Sequence, residues 1–249
     1  LNVSVKSVDN CIGQIIQALN KTGLSDNTVV IFTTDHGIAF PGAKATIFDP
    51  GIEISLIIRG SSNFKGRKII NGLVSNIDIL PTLLELNKIK IPSQIQGKSL
   101  LPLVRNEVKE IHDKIFLELT YHAAYDPMRG IRTNEFKYIR NFEKRPFWFP
   151  PNIDGGYTKE WYRLNHPELF KIPRTAELLF DLKNDPLEKN NLNNDSSYNN
   201  ILTNLQKQLT NWMKETNDPL IKGNIHPPKG VSITSEGSWD PGENVQKFY

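Results

Sequence analysis

Apolar residues near the start of the chain recur at alternating three- and four-residue steps: Val5, Val8, Ile12, Ile15, Ile16 and Leu19. That spacing predicts an amphipathic helix, with Lys21 in its last turn and Gly23 as the residue that ends it. Leu24-Ser25-Asp26-Asn27 leads into a continuous apolar run at 29–32, which reads as a buried strand of a parallel sheet. Residues 53–59 read as a second buried strand and 72–78 as a weaker one. Asp78 is placed to cap a helix over 79–86, with Pro81 tolerated in its first turn. Helix, short loop and buried strand in that order predict an α/β architecture.

From about Asn106 the texture changes. Residues 114–120 alternate charged and apolar side chains, as a half-buried strand does, and 130–133 with 136–140 flank Asn134-Glu135 as a hairpin would. Residues 144–175 are rich in proline and aromatics without a clean period. They read as a packed irregular insertion, with a carbohydrate-facing aromatic surface as the alternative. A strand at 177–182 is followed by a polar turn. Ile201, Leu202, Leu205, Leu209 and Trp212 mark a last amphipathic helix. The tail after Pro219 has no period and either wraps the surface or is disordered. The change of texture divides the chain into 1–105 and 106–249, and no internal repeat is present.

Composition adds limits. A chain of 249 residues buries a sizeable core, and 38% apolar with 23% charged residues is ordinary for a globular protein. A net charge of +3 gives no argument for a nucleic-acid partner. No apolar run approaches membrane-spanning length, so no membrane partner is expected. Cys11, the single cysteine, excludes an internal disulfide framework and is expected to be a buried, inert thiol on the apolar helix face. Leu1-Asn2-Val3-Ser4 lacks the features of a signal peptide and enters the helical pattern directly, so the chain is expected to be part of a larger protein. Glycosylation acceptor patterns at Asn2, Asn20 and Asn194 have meaning only in a glycosylating secretory route.

The chemistry gathers where the first apolar run ends. Residues 29–37 finish in Asp35-His36-Gly37, and Lys44 follows eight residues after His36. In open α/β sheets, ligands sit beyond the carboxyl ends of strands, where such polar residues emerge. Asp35 and His36 offer an oxygen and a nitrogen to a divalent cation, and Gly37 allows a tight turn. Lys44 returns a fixed positive charge. A cation plus a lysine suits a tetrahedral oxyanion such as sulfate or phosphate. The bland alternatives are a capped turn at Asp35 and a solvated surface lysine at 44.

Several ordered segments together resemble the C-terminal portion of a type I sulfatase of the alkaline-phosphatase-like superfamily. Residues 8–28 resemble the helix before the sulfatase metal strand, 29–37 its metal-ligand segment, and 44–60 its basic-residue segment and next strand. Residues 77–83 are similar to its following helix. Residues 132–140 and 179–192, with Asp185-Pro186 and Asn191-Leu192, are similar to its small C-terminal sheet. Phe40-Pro41, His122 and Pro127-Met128-Arg129 look most like sulfamidase-type (N-sulfoglucosamine sulfohydrolase) members.

The resemblance implies an α/β fold in two parts: a partial alkaline-phosphatase-like sheet sandwiched by helices, and a smaller C-terminal α+β subdomain with an antiparallel sheet. It implies one Ca2+ held partly by Asp35 and His36, and Lys44 as the catalytic group that grips a sulfate oxygen. It implies a formylglycine nucleophile acting on O- or N-sulfated carbohydrate, in a periplasmic, extracellular or lysosomal setting. His122 and Arg129 are further substrate-binding candidates, each weighed against a structural role. The family's Cys/Ser-x-Pro/Ala-x-Arg nucleophile pattern does not occur in this chain, nor does its first pair of metal-binding aspartates. The chain is therefore expected to be an inactive fragment on its own. Two further readings stay open: a phosphatase or phosphonate hydrolase of the same superfamily, and a non-catalytic sulfated-glycan-binding module.

Overall fold

The structure, a computed structural model, describes residues 2–60, 63–64 and 66–248. Helix α1 (Asn2–Lys21) ends as the sequence predicts. Leu24 N donates to Leu19 O at 3.1 Å and Gly23 N to Asn20 O at 3.3 Å, the paired bonds of a Schellman cap. Next come β1 (Val30–Thr33), the one-turn α2 (Asp49–Ile52), β2 (Leu56–Arg59), α3 (Ile79–Leu86) and α4 (Leu101–Val104). Strands β3 (Lys114–Tyr121), β4 (Tyr125–Thr133) and β5 (Phe136–Asn141) follow, then α5 (Tyr157–Asn165) and β6 (Glu177–Asp181). The chain continues through α6 (Asn199–Glu215), β7 (Ser232–Thr234) and β8 (Val245–Lys247). Among the described residues, no helix is long and apolar enough to cross a membrane.

These elements pack as two units. The first joins residues up to 35 with 54–111; the second joins 36–53 with 112–249. The end of the first unit lies near the change of texture in the sequence. The segment 36–53, however, packs with the second unit.

In the first unit, β1 and β2 pair antiparallel, Val30 opposite Arg59 and Thr33 opposite Leu56. This corrects the parallel expectation. The intervening chain forms an irregular loop and one short helix, without the crossover helix that parallel strands use. The strands are half-buried, not the fully buried ones their apolar runs suggested. Helix α1 has no buried residue, and Val3, Val5, Val8 and Ile15 are exposed. Cys11 is likewise exposed, correcting the buried-thiol reading, while Ile12, Ile16 and Leu19 of the apolar stripe are half-buried. No strand forms at 72–78. Asp78 is fully buried and its carboxylate accepts from Ser75 N at 2.8 Å and Lys98 N at 2.7 Å, which winds the segment into a capping turn ahead of α3.

The second unit is built on a four-stranded antiparallel sheet in the order β3-β4-β5-β6. Alternation along its strands makes two apolar faces. Ile131, Tyr138 and Leu179 pack against Leu205, Leu209 and Met213 of α6. Met128, Ile139, Leu178 and Phe180 point the other way and pack against Ile47 and Phe48. The 36–53 segment is thus anchored through the hydrophobic face of this sheet. The predicted hairpin, the β6 strand and the terminal helix all form. The tail folds back: Thr234 N donates to Ala123 O at 2.8 Å, and Arg145 Nη2 reaches Glu236 Oε1 at 2.5 Å.

Candidate active site

Segment 36–53 is wound tightly by its own backbone. Gly37 N donates to Gly51 O at 2.9 Å and Lys44 N to Ile38 O at 3.0 Å. A side chain at Gly37 would place its Cβ 1.8 Å from Pro50 O, so a close backbone approach requires glycine here. The loop is fixed below by charge. The Asp49 carboxylate receives Arg132 Nη2 at 3.0 Å and a hydrogen bond from Lys137 Nζ, while its backbone N donates to Glu188 Oε2 at 2.6 Å. Burial pushes Asp49 up, but the Arg132 hydrogen bond and the Lys137 charge outweigh it and leave its pKa below the usual 3.8.

Lys44 Nζ donates to Asp154 Oδ2 at 2.8 Å, with both side chains part-exposed. Asp154 was not foreseen in the sequence. It lies in the insertion that has no period, and its one signal is an acidic residue just before Gly155-Gly156. His122 sits in the short turn from β3 to β4. That turn is clamped by Asn152, whose Oδ1 accepts from Ala123 N at 3.0 Å and Ala124 N at 2.7 Å. Burial lowers the His122 pKa below 6.5; the Lys44 and His36 charges lower it further, and Asp154 opposes them. His36, Lys44, His122 and Asp154 therefore share one electrostatic neighbourhood within the second unit. His36 Nδ1 lies 2.7 Å from Gly37 O.

In metal-free protein, His122 is expected to be neutral at pH 7 and to titrate below 6.5 by NMR. Lys44→Met should raise that midpoint by removing a cation that disfavours the imidazolium, and Asp154→Asn should lower it. A midpoint at or above 6.5 that ignores both substitutions would contradict this arrangement.

The structure places Arg129 inside the fold, in the salt bridge that was the alternative to a substrate contact. Its side chain is 2% exposed and Asp218 is 3%. Nε and Nη2 grip the Asp218 carboxylate at 2.5 and 3.2 Å, and the remaining donors reach Leu119 O, Met128 O and Thr120 Oγ1. Every guanidinium donor is engaged inside the fold, the structural salt bridge that stood as the alternative.

The Asp35 side chain belongs to the first unit and His36, the next residue, to the second. Among the described residues, no group of three or more His, Cys, Asp or Glu side chains converges as a metal site. Calcium takes roughly six to eight oxygen ligands. The two donors at 35 and 36 do not complete such a shell. A separate cavity of about 560 Å³ in the first unit, lined by residues such as Leu56, Ile58, Leu103 and Arg59, includes none of the candidate residues.

The sequence profile of the N-sulphoglucosamine sulphohydrolase C-terminal family matches residues 40–149, the stretch that holds Lys44 and His122. An ulvan-active sulfatase of Formosa agariphila is 31% identical over 228 residues, covering 86% of this chain and 38% of that protein. The chain is similar to the C-terminal portion of sulfatases. Human N-sulphoglucosamine sulphohydrolase is 28% identical to this chain over 88% of it and 48% of the human protein. A solved 2-O GAG sulfatase superposes with a TM-score of 0.68 at 23% identity, covering 89% of this chain and 43% of that one. The fold is the one such solved sulfatases share, mixed α/β with antiparallel sheets. The chain spans less than half the length of these relatives. Residues 1–49 also match the profile of type I phosphodiesterase / nucleotide pyrophosphatase.

Proposed function

We propose that this chain supplies the anion-gripping wall of an enzyme that hydrolyses sulfate esters or N-sulfate groups on a carbohydrate. The observation that carries the reading is the Lys44 ammonium, paired with Asp154 on a loop wound by its own backbone hydrogen bonds, with His122 in the same electrostatic neighbourhood, where burial and the Lys44 charge disfavour its imidazolium. A neutral imidazole donates or accepts a hydrogen bond at the sugar or leaving group without adding repulsion to the lysine. Asp154 stands where an incoming sulfate oxygen would compete for the ammonium. Lysine presents a compact charge suited to a tetrahedral anion.

Asp35 and His36 would contribute two donors to a calcium ion, with the remaining ligands and the formylglycine nucleophile supplied by polypeptide beyond these 249 residues. That ion would supply positive charge to offset the equatorial oxygens of the reacting group. On this account the chain alone does not turn over substrate.

The test is sulfate release from N-sulfoglucosamine and from O-sulfated saccharides by the longer polypeptide that contains this chain, read by ion chromatography. Release of sulfate that needs calcium is the expected result. The phosphodiesterase profile over 1–49 favours a second reading, phosphoryl transfer at the same site. Faster release from phosphate esters than from every sulfated sugar would decide for it.

A further inference from the structure

Helix α5 carries Tyr157, Trp161 and Leu164 at i, i+4 and i+7, and they are 97%, 52% and 72% exposed. That spacing puts two aromatic rings and an isobutyl group along one face of a nine-residue helix. Burial would be their ordinary fate in a helix whose opposite side packs inward.

Trp161, at the centre of this face, is held by ring contacts. The Trp161 ring meets Tyr162 edge-on at 5.0 Å and His166 at 5.4 Å. Tyr162 meets Trp148 edge-on at 4.6 Å. Trp148 in turn lies against Gly42, where a Cβ would sit 2.7 Å from its indole nitrogen, and Gly42 is two residues from Lys44. The chain itself makes a second link, since Asp154 is followed by Gly155-Gly156 and then α5. Aromatic contacts and backbone therefore both lead from the Lys44–Asp154 pair to this face, all within the second unit.

We propose that the Tyr157–Trp161 face is a carbohydrate platform that binds a sugar residue of a sulfated glycan beyond the one whose sulfate meets Lys44. The inference rests on the sulfated-carbohydrate reading of the site and extends it to a second subsite. A sugar ring is amphipathic: its C–H face stacks on an aromatic ring while its hydroxyls stay in water, which suits the half-exposed, edge-supported ring of Trp161 with the exposed ring of Tyr157 one turn away. Three side chains on one short helix are too few for a stable protein interface, which buries roughly 1,200–2,000 Å². They are enough for a sugar. Continuity with the lysine site favours an extended ligand over an isolated one.

The test uses the 249-residue chain and three probes in titration calorimetry: inorganic sulfate, N-sulfoglucosamine, and an N-sulfated heparan tetrasaccharide. The tetrasaccharide is expected to bind about tenfold more tightly than the monosaccharide, and Trp161→Ala or Tyr157→Ala to remove that gain. Trp161→Phe should keep most of it. Neither alanine variant should change sulfate binding, and both side chains are exposed enough that circular dichroism should match the parent. Equal affinity for mono- and tetrasaccharide, or a gain that survives both alanines, would overturn the platform. So would self-association that depends on Trp161, which assigns the face to a second copy. If Lys44→Ala abolishes sulfate binding while no chain-length gain exists, the platform fails and the sulfate site stands. If the gain depends on Trp161 but sulfate binding ignores Lys44, the platform stands and the catalytic reading of Lys44 fails.

Discussion

Lys44→Ala in the longer polypeptide is expected to lower kcat/KM for sulfate release by roughly two to three powers of ten, the usual cost of removing one preorganised charge from a developing oxyanion. The loop that carries Lys44 is built from backbone hydrogen bonds and from apolar anchors at Ile47 and Phe48, none of which needs the ammonium. The fold should therefore persist and the loss should be chemical. The Asp154 pair makes a scaffold role separable from an anion-binding role. If Lys44 only pins Asp154 and its loop, Lys44→Ala and Asp154→Asn break the same contact and give matching losses. If Lys44 grips the substrate anion, Asp154→Asn removes a competitor 2.8 Å from the ammonium, and inorganic sulfate should inhibit more tightly. Opposite signs in the two variants support anion binding; equal losses refute it.

The sequence made the main sheet of the second unit legible, although β4 begins at Tyr125, ahead of the predicted 130, and α5, β7 and β8 form in stretches read as having no period. Its sheet alternates with period two, its hairpin has a two-residue turn, and α6 has a clean helical stripe. Local pattern and tertiary packing agree there. The first unit was harder for a physical reason: an apolar strand of four residues carries no mark of whether its partner runs parallel or antiparallel. For α1, periodicity reports which side chains could share a core, not whether a core meets them, and Cys11 inherits that ambiguity.

Lys44 and His122, which the structure brings into one electrostatic neighbourhood, could be singled out in sequence because each follows or ends a patterned element. Asp154 was hidden because it enters from 110 residues away, through an insertion that has no period. The surroundings of Arg129 were hidden for a related reason. An arginine beside proline and methionine looks available in sequence, and only the long-range carboxylate of Asp218 shows that its donors are taken.

The same long-range logic governs the charges under the active-site loop, where the largest stability effect is expected. Lys137 is 0% exposed and its ammonium lies between Asp49 and Glu188, with Glu188 Oε1 at 2.7 Å and that side chain 1% exposed. Lys137→Met keeps the volume and removes the charge. Glu188 then stays buried with no counter-ion, at a cost of about 3–5 kcal/mol at pH 7. Asp49 still holds Arg132, so most of the penalty falls on Glu188.

The pH dependence identifies the source. Burial already holds the Glu188 pKa above 4.5 in the folded protein, with Lys137 opposing, so losing Lys137 raises it further. A raised carboxyl is best tolerated below its unfolded value and destabilises increasingly as pH climbs through the folded one. The deficit of Lys137→Met should therefore shrink on acidification toward pH 4.5 and widen toward neutrality, in denaturant titrations against the parent. Asp49 works in the opposite sense: its lowered pKa contributes stability above 3.8 that is lost as pH falls through the folded value. Below that point the parent weakens too, which narrows the gap again. Adding Glu188→Gln to Lys137→Met should recover much of the loss at pH 7. A deficit independent of pH and untouched by that second change would trace the cost to packing and remove the charge network from any role in holding the Lys44 loop.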